Sequence, residues 1–495
     1  MPSEDRTRWI ALIVICLGSL MNVLDSTIVG VALPSIKNDL GFSSTSLAWV
    51  VNAYLLTFGG FLLLGGRLGD LFGQRRMFIA GIGLFTISSL ICGVSSSQAM
   101  LIAARAVQGF GGAVASAVAL SLIVSLFVEP GERAKAMGVF GFVAAGGGSI
   151  GVLLGGVLTG LLDWHWIFLV NVPIGLAVGL LSLRFLPRGA GASHGRLDLT
   201  GAVIVTSALM LAVYAVVNGN QAGWFSVQTV GLLAGASALL LAFIFVEARI
   251  RTPLVSLHLF RLRNLATASG VGVLWAGAMF AWFFLSALYL QFVLGYTPLQ
   301  VGLAFLPANV IMSGFSLGLS AKLVGRYGTR APLAAGLGLA AIGLFLFSHA
   351  PLRGHYVLDV LPSMLLLGLG AGMAFNPLLL VAMGDVDPSE SGIASGLLNT
   401  AFMMGGALGL AVLASAAASQ TNHLSASGQT HVASLMGGYH LAYLLGSAFA
   451  LLAAALTVAL LRGPVGSVRR APYRQNACSK RVPPRLLPGL PGSRS

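Results

Sequence analysis

The sequence predicts an all-α, polytopic membrane protein. Of its 495 residues, 57% are hydrophobic and only 8% are charged, whereas an ordinary soluble domain carries about 25% charged residues. Apolar runs of roughly 20 residues, long enough to cross a hydrocarbon core of about 30 Å, recur along most of the chain. The Lys and Arg residues concentrate between alternate runs, which is the pattern of a membrane protein with a defined orientation.

Fourteen apolar runs predict fourteen transmembrane helices in order along the chain. The first run is longer than the apolar core of a signal peptide and leads directly into a loop and a second run, so we predict that it is retained as a helix. The runs cover residues 9–33, 47–66, 77–96, 99–127, 136–161, 166–186, 199–218, 227–247, 265–292, 300–321, 331–349, 357–382, 391–418 and 435–461.

The net charge of +14 could indicate nucleic-acid binding, but the positions of the basic residues explain it otherwise. If the N-terminus is cytoplasmic, 25 of the 28 Lys and Arg residues fall in cytoplasmic segments. The outer loops then hold only Lys37 and Arg353, and Arg105 lies within a span. This asymmetry is the positive-inside rule. It predicts that both termini are cytoplasmic in the inner membrane, and it requires no nucleic acid.

The order of the spans predicts two homologous halves with a helical pair between them. Two basic, glycine-bearing turns support this, because each closes the second span of its half: GRLGDLFGQRR at 66–76 and KLVGRYGTR at 322–330. The predicted units are a cytoplasmic tail (1–8), a six-helix bundle (9–186), an inserted pair with cytoplasmic flanks (187–264), a second six-helix bundle (265–461) and a disordered basic tail (462–495).

Asp25 is the one acidic residue that falls well inside a predicted span. A charge there costs roughly 2.5–3.5 kcal/mol, so it is a functional candidate by default. Arg105 is the one deeply placed cation, and helical rise puts Asp25 and Arg105 about 12 and 9 Å below the outer surface. We therefore predict that they share one polar cavity, where the acid takes up and releases a proton. A carboxylate paired only for packing is the alternative.

Amide side chains supply the remaining polar candidates within the spans. Asn22 and Gln108 each lie three residues from one of the charges, and hence on its helical face. The sequence leaves two interpretations of these amides open: they line a polar cavity, or they only form hydrogen bonds between helices. Weaker candidates of the same kind are Asn309, Asn376 and Asn399.

Glycines of the fifth span fall on one helical stripe. Gly147, Gly151 and Gly155 repeat every four residues, which lets a neighbouring membrane helix approach closely. The sequence leaves two interpretations open, tight packing alone and a surface that slides during transport.

Several other features do not support a different class of protein. The glycine-rich stretches 109–113 and 368–372 lack the strand and helix that a phosphate loop requires. The histidines show no metal-ligand spacing, so no metal site is predicted, and the three cysteines form no disulfide framework. The aromatic residues of span nine, which include Trp275 and Trp282, fit packing better than a drug pocket.

Four motifs resemble those of the major facilitator superfamily, specifically its fourteen-helix drug:proton antiporter branch of the EmrB/QacA type. They are LDSTIVGVALP at 24–34, GRLGDLFGQRR at 66–76, RAVQGFGGA at 105–113 and GVLLGG at 151–156. The resemblance covers roughly residues 9–461. Four residues depart from the branch pattern: Gly30 for Asn, Gln74 for a basic residue, Val152 for Pro and His165 for Arg.

The resemblance implies a major facilitator fold, with two six-helix bundles plus two inserted helices, that works by alternating access. It implies that Asp25 carries the proton, that Arg105 modulates it, and that Gly147–Gly156, with Gly151 and Gly155, form a moving seam. The loop after span two would close the cytoplasmic side, through Gly66, Asp70, Gly73, Arg75 and Arg76.

Together these features predict a proton-coupled exporter of small amphipathic or antibiotic-like compounds, not an enzyme. The expected partners are a small-molecule substrate, protons and the lipid bilayer. The proton gradient is the expected driving force, no cofactor is expected, and we expect a monomer. Two alternatives remain at this stage, a facilitator-type importer of a nutrient and a non-transporting membrane receptor or scaffold.

Overall fold

A computed structural model describes residues 2–43, 45–127, 129–187, 199–250, 257–315, 319–386 and 391–461. Over these residues the secondary structure is helical throughout, without a strand. Eleven helices are long and apolar enough to cross a membrane, and three shorter apolar helices accompany them. The predicted all-α, multi-pass fold is confirmed. The predicted tail at 462–495 lies outside the described residues.

Seven helices correspond to the first six apolar runs. The helices of the first, second and fifth runs extend beyond the run by one or two turns, because polar residues continue the helix outside the apolar core. The sixth run is divided at Val170, since Pro173 has no N–H with which to bond the carbonyl of Leu169. The helices are α1 (Pro2–Leu40), α2 (Trp49–Phe72), α3 (Gln74–Gly93), α4 (Gln98–Leu126), α5 (Pro130–Leu161), α6 (Trp166–Leu169) and α7 (Asn171–Phe185).

The remaining helices follow the other eight runs in order. A π-helical turn continues α10 over Tyr289–Val293, and another, Tyr356–Val360, precedes α14. The helices are α8 (Leu199–Ala222), α9 (Val227–Glu247), α10 (Arg263–Leu288), α11 (Pro298–Gly314), α12 (Ser320–Tyr327), α13 (Arg330–Phe347), α14 (Leu361–Met383), α15 (Ser391–Ala426) and α16 (His431–Leu460).

Helix packing repeats between the first and last groups of helices. In the first group α2 and α3 pack on α4, and α1 packs on α5 and α7. In the last group α11 and α13 pack on α14 in the same way, and α10 packs on α15 and α16. The two groups meet through α5 with α11 and through α2 with α15. The inserted α8 packs on α9 and lies against α2 and α15, beside the contact between those two helices.

Glycines on α3 and α4 allow α2, α3 and α4 to pack at backbone distance. A Cβ atom at Gly111 would lie 2.7 Å from the backbone nitrogen of Phe85 on α3, and one at Gly81 would lie 2.7 Å from that of Ala115 on α4. A Cβ at Gly109 would overlap the carbonyl of Tyr54 on α2. Small residues at these crossings permit backbone contact between membrane helices, so the GFGGA stretch serves packing.

Candidate functional site

Five buried polar side chains from four helices form a cluster within the first group of helices. Asp25 lies in the middle of α1, and Arg105 and Gln108 lie one turn apart on α4. Ser89 comes from α3, and Asn171 is the first residue of α7. Each side chain is no more than 1% exposed. We call these five residues the Asp25 cluster.

The Asp25 carboxylate accepts hydrogen bonds from three neighbours. Nη1 of Arg105 lies 2.5 Å from Oδ2, while Nε2 of Gln108 and Nδ2 of Asn171 lie 2.8 and 3.1 Å from Oδ1. Guanidinium and amide nitrogens donate and do not accept. This arrangement therefore suits the charged carboxylate, because charge-assisted hydrogen bonds are stronger than neutral ones.

The Arg105 guanidinium has further partners besides the carboxylate. Its Nη1 donates to Oε1 of Gln108 at 2.6 Å, and its Nε donates to the carbonyl of Val50 on α2 at 2.9 Å. The guanidinium carbon lies 4.4 Å from the ring centre of Tyr54 and 5.6 Å from that of Phe168. These hydrogen bonds occupy Nε and Nη1 of the guanidinium, and such additional hydrogen bonds help to offset the cost of burying an ion pair.

Ser89 connects the amides that hold the carboxylate. Its hydroxyl oxygen accepts from Nε2 of Gln108 at 2.6 Å and from Nδ2 of Asn171 at 3.4 Å. The cluster thus joins α1, α3, α4 and α7 through side chains, and through Val50 it also reaches α2. A change of charge on Asp25 would directly alter the contacts of α1 with α4 and α7.

The glycine stripe of α5 faces α1, the helix that carries Asp25. A Cβ atom at Gly155 would lie 2.6 Å from the carbonyl of Ile28, and one at Gly147 would lie 2.9 Å from the side chain of Leu20. At Gly151 a Cβ would overlap the hydroxyl of Thr27. The three glycines therefore allow α1 and α5 to pack at backbone distance, and both helices belong to the first group.

Gly156 lies beside this stripe and makes the contact to the second group of helices. A Cβ atom there would lie 2.8 Å from the carbonyl of Pro298 and 3.3 Å from Cα of Gly302, both on α11. Near the same end of the bundle, Nε2 of Gln291 donates to the carbonyl of Val31 at 2.8 Å. The two groups are therefore in contact at the end where α1 ends and α2 begins. We call this end the distal end.

The loop between α2 and α3 forms a tight turn at the opposite end. Gly73 has a φ of 94° and donates its N–H to the carbonyl of Gly69 at 3.0 Å. Arg75 donates to the carbonyl of Leu183 near the end of α7, and Arg76 is exposed. A Cβ at Gly66 would meet no atom within 4 Å. The side chain of Asp70 lies outside the described part of the structure.

Comparison with known proteins identifies this architecture. The family model described as Major Facilitator Superfamily matches residues 15–410. The chain belongs to the major facilitator superfamily. It is 40% identical to a cephamycin export protein of Amycolatopsis lactamdurans over 425 residues, which are 85% of this chain and 87% of that protein.

Two further superfamily comparisons are informative. A puromycin resistance protein of Streptomyces alboniger is 41% identical over 415 residues, covering 83% of this chain and 82% of the relative. Among solved structures, an inward-facing, occupied bacterial homologue of the human lysosomal transporter Spinster aligns with a TM-score of 0.66. The alignment covers 90% of this chain and 95% of that one at 15% identity, so it supports the superfamily fold alone.

The other predicted polar candidates lie apart from the Asp25 cluster of this superfamily member. Asn22 is buried against α4, where its Nδ2 donates to the Ser116 hydroxyl at 2.9 Å. Asn309 is buried on α11, Asn376 is half-buried on α14, and Asn399 is exposed on α15. Asn309, Asn376 and Asn399 belong to the second group of helices. Of the five predicted amides, Gln108 is therefore the one that the structure brings to Asp25.

Asn171 and Ser89 were not among the sequence-based candidates. Asn171 is the one amide in the sixth apolar run, and this isolation was a usable signal. Ser89 offered none, because serine occurs in many of the spans and is compatible with helix interiors in membranes.

The aromatic residues of the ninth run are packed inside the helical bundle. Trp275 and Trp282 are each 1% exposed, and the Trp282 ring lies 6.1 Å from that of Phe305 on α11. Within the described residues, neither indole N–H has a hydrogen-bond acceptor. This burial agrees with core packing.

Proposed function

We propose that this chain is a proton-coupled exporter of the fourteen-helix drug:proton antiporter branch, which moves small amphipathic or antibiotic-like compounds out of the cell. The observation that carries the proposal is the Asp25 cluster, a buried carboxylate and guanidinium in direct contact inside the helical bundle. The names of relatives that share most of their length with this chain support export and not uptake of a nutrient.

In the proposed mechanism the proton acts on the contact between α1 and its neighbours. Charged Asp25 holds α1 to α4 and α7 through three donors. When a proton neutralises the carboxylate, Arg105 loses its ionic partner but keeps Gln108 and Val50. The positive charge therefore stays on α4 while α1 is released. Because α1 packs on α5, and α5 on α11, this release reaches the boundary between the two helical groups.

Alternating access would then be a movement of residues 9–186 against residues 265–461. We propose that both termini are cytoplasmic and that the 66–76 loop closes that side through Asp70, Arg75 and Arg76. The proton gradient would be the sole driving force, without a cofactor, and a monomer would suffice because the Asp25 cluster comes from one chain.

The proposed substrates are neutral, anionic or singly charged. Among the buried residues of the described structure the acids are Asp25 and Glu247, and Glu247 is the last residue of α9 in the inserted pair. The second helical group, α10 to α16, therefore offers no buried carboxylate among its described residues to balance a second positive charge on a substrate.

The test uses inside-out vesicles acidified by respiration, with a pH-sensitive dye as the readout. Puromycin and a cephamycin are the first compounds, because relatives carry those names. We expect a compound to dissipate the gradient through the native chain and the Asp25→Asn response to fall below roughly a tenth, or about 1.4 kcal/mol in barrier terms. Asp39→Asn is the matched control, since Asp39 is exposed on the same helix and bonds Trp164.

A second readout separates loss of coupling from loss of folding. Exchange of labelled compound across vesicles without a gradient needs the alternating movement but no net proton transfer. Asp25→Asn should retain this exchange while losing the gradient-driven response. A native-like gradient response from Asp25→Asn would show that Asp25 is not the obligatory proton carrier.

A further inference from the structure

A cavity of about 400 Å³ lies at the distal end, between the first helical group and the inserted pair. We call it the lateral cavity. Its walls come from the segment before α2, from α2 and α4, and from the outer end of α8. The residues that line it and matter here are Ser46, Trp49, Ile102, Tyr214, Val217 and Asn218. None of them belongs to the Asp25 cluster, and the volume is within the usual range for small-molecule sites.

The wall chemistry excludes a charged ligand. Trp49, Ile102 and Val217 present apolar surface, while Ser46, Tyr214 and Asn218 supply hydroxyl and amide groups. Among the described residues that line the cavity, none is acidic or basic. A charged ligand would therefore lose its hydration without gaining a counter-ion, which is costly. The cavity suits a molecule with an apolar body and a neutral polar group.

The surroundings place the cavity at the depth of a membrane interface. The turn between α8 and α9 presents Phe225 and Val227 with 97% and 92% of their surface exposed. Trp224, in the same turn, packs beneath Gly219. Aromatic side chains at the ends of membrane helices mark the boundary between hydrocarbon and water. Amphiphiles concentrate at this boundary, so the lateral cavity is accessible to them from the membrane.

We propose that the lateral cavity binds one uncharged amphiphile, with its apolar part between Trp49 and Val217 and its hydroxyl, ester or amide group at Tyr214 and Asn218. Two sources share this chemistry: a neutral lipid of the membrane, and an exported compound that leaves through the membrane. In either case the inserted pair forms one wall of a binding site that is separate from the Asp25 cluster.

The probe is a monoacylglycerol with a diazirine in its acyl chain, photo-crosslinked to the full-length protein in lipid nanodiscs and located by peptide mass spectrometry. We expect labelled peptides around residues 45–49 and 214–218. Val217→Trp fills the cavity and should reduce this labelling roughly tenfold. Val230→Trp is the control, because Val230 lies on α9 with 51% of its surface exposed. Tyr214→Phe, which keeps the volume, should reduce labelling a few-fold even if Val217→Trp fails to fold.

Competition distinguishes the two sources. Displacement of the probe by unlabelled monoacylglycerol shows that the site is saturable. Displacement also by a compound that the protein exports identifies an exit site, and displacement by the monoacylglycerol alone identifies a lipid site. Labelling that is spread evenly over the lipid-facing helices, or that neither competitor reduces, would overturn the proposal. Asp25→Asn should label like the native chain, so failure of this proposal and failure of proton coupling are separate results.

Discussion

Substitution of Gly156 by Ala should shift the balance between the two conformations that transport requires. Gly156 is one of the α5 residues that contact α11 across the two helical groups at the distal end. If this contact opens during transport, an added methyl group penalises only the conformation in which it is closed. The effect would therefore appear in the conformational equilibrium and not as general loss of structure.

The size of the effect follows from the geometry. The new Cβ would lie 2.8 Å from the Pro298 carbonyl oxygen and 3.3 Å from Cα of Gly302, whereas carbon–oxygen contacts are usually about 3.3–3.6 Å. Both neighbours are backbone atoms, which cannot rotate away. Overpacking of this kind costs about 1–3 kcal/mol, which changes a two-state equilibrium roughly 5–150-fold.

Electron–electron double resonance measures this shift directly. Spin labels at Ser96 and Arg353, both exposed at the distal end and in different helical groups, report the separation of the groups in a cysteine-free background. We expect Gly156→Ala to add a longer-distance population that is small or absent in the native chain. Gly302→Ala should act in the same direction but more weakly, because its nearest atom, the carbonyl oxygen of Val152, lies at 3.1 Å.

Gly179→Ala is the matched control for this measurement. Gly179 lies on α7, and a Cβ there would meet no atom within 4 Å. The reasoning fails if Gly156→Ala and Gly179→Ala give the same distance distribution, because the contact between α5 and α11 would then be equally close in both conformations.

Two further substitutions test individual contacts. Asn171→Leu removes one donor from the Asp25 carboxylate, at a cost of about 1–3 kcal/mol. Gradient-driven transport should fall about tenfold, while exchange of labelled compound without a gradient should persist. Equal loss of both activities would indicate a purely structural role for Asn171. Gly73→Ala places a side chain at φ 94°, which costs about 1–3 kcal/mol, so the melting temperature in detergent should fall. Gly66→Ala is the control, because its Cβ meets nothing within 4 Å and Ala is favoured over Gly inside a helix. This control should not lower the melting temperature.

The depth argument for Asp25 and Arg105 shows what hydropathy can predict. Each charge was placed by counting residues from the end of an apolar run, and the structure has the two side chains in direct contact. The argument works because an unpaired charge in hydrocarbon carries a high free-energy cost, so two opposite charges at the same depth are strongly favoured to pair. It could not indicate Ser89, whose hydroxyl carries no such cost.

The glycine stripe shows the limit of the same approach. Its spacing predicted a close approach of another helix, and that helix could not be identified from the sequence. The structure identifies α1 for Gly147, Gly151 and Gly155, and α11 for Gly156. Adjacent glycines thus have different roles, since a rotation of about 100° per residue turns neighbouring positions towards different helices.

The sequence by itself determined the all-helical, membrane-spanning class and the candidate ion pair, because hydrophobicity and the cost of buried charge act locally along the chain. Only the tertiary structure decided which groups complete the Asp25 cluster and where the helical groups touch. Asn171 is 146 residues from Asp25, and Gln291 is 260 residues from Val31. Contacts over such separations depend on how whole helices pack, and no local pattern specifies that packing.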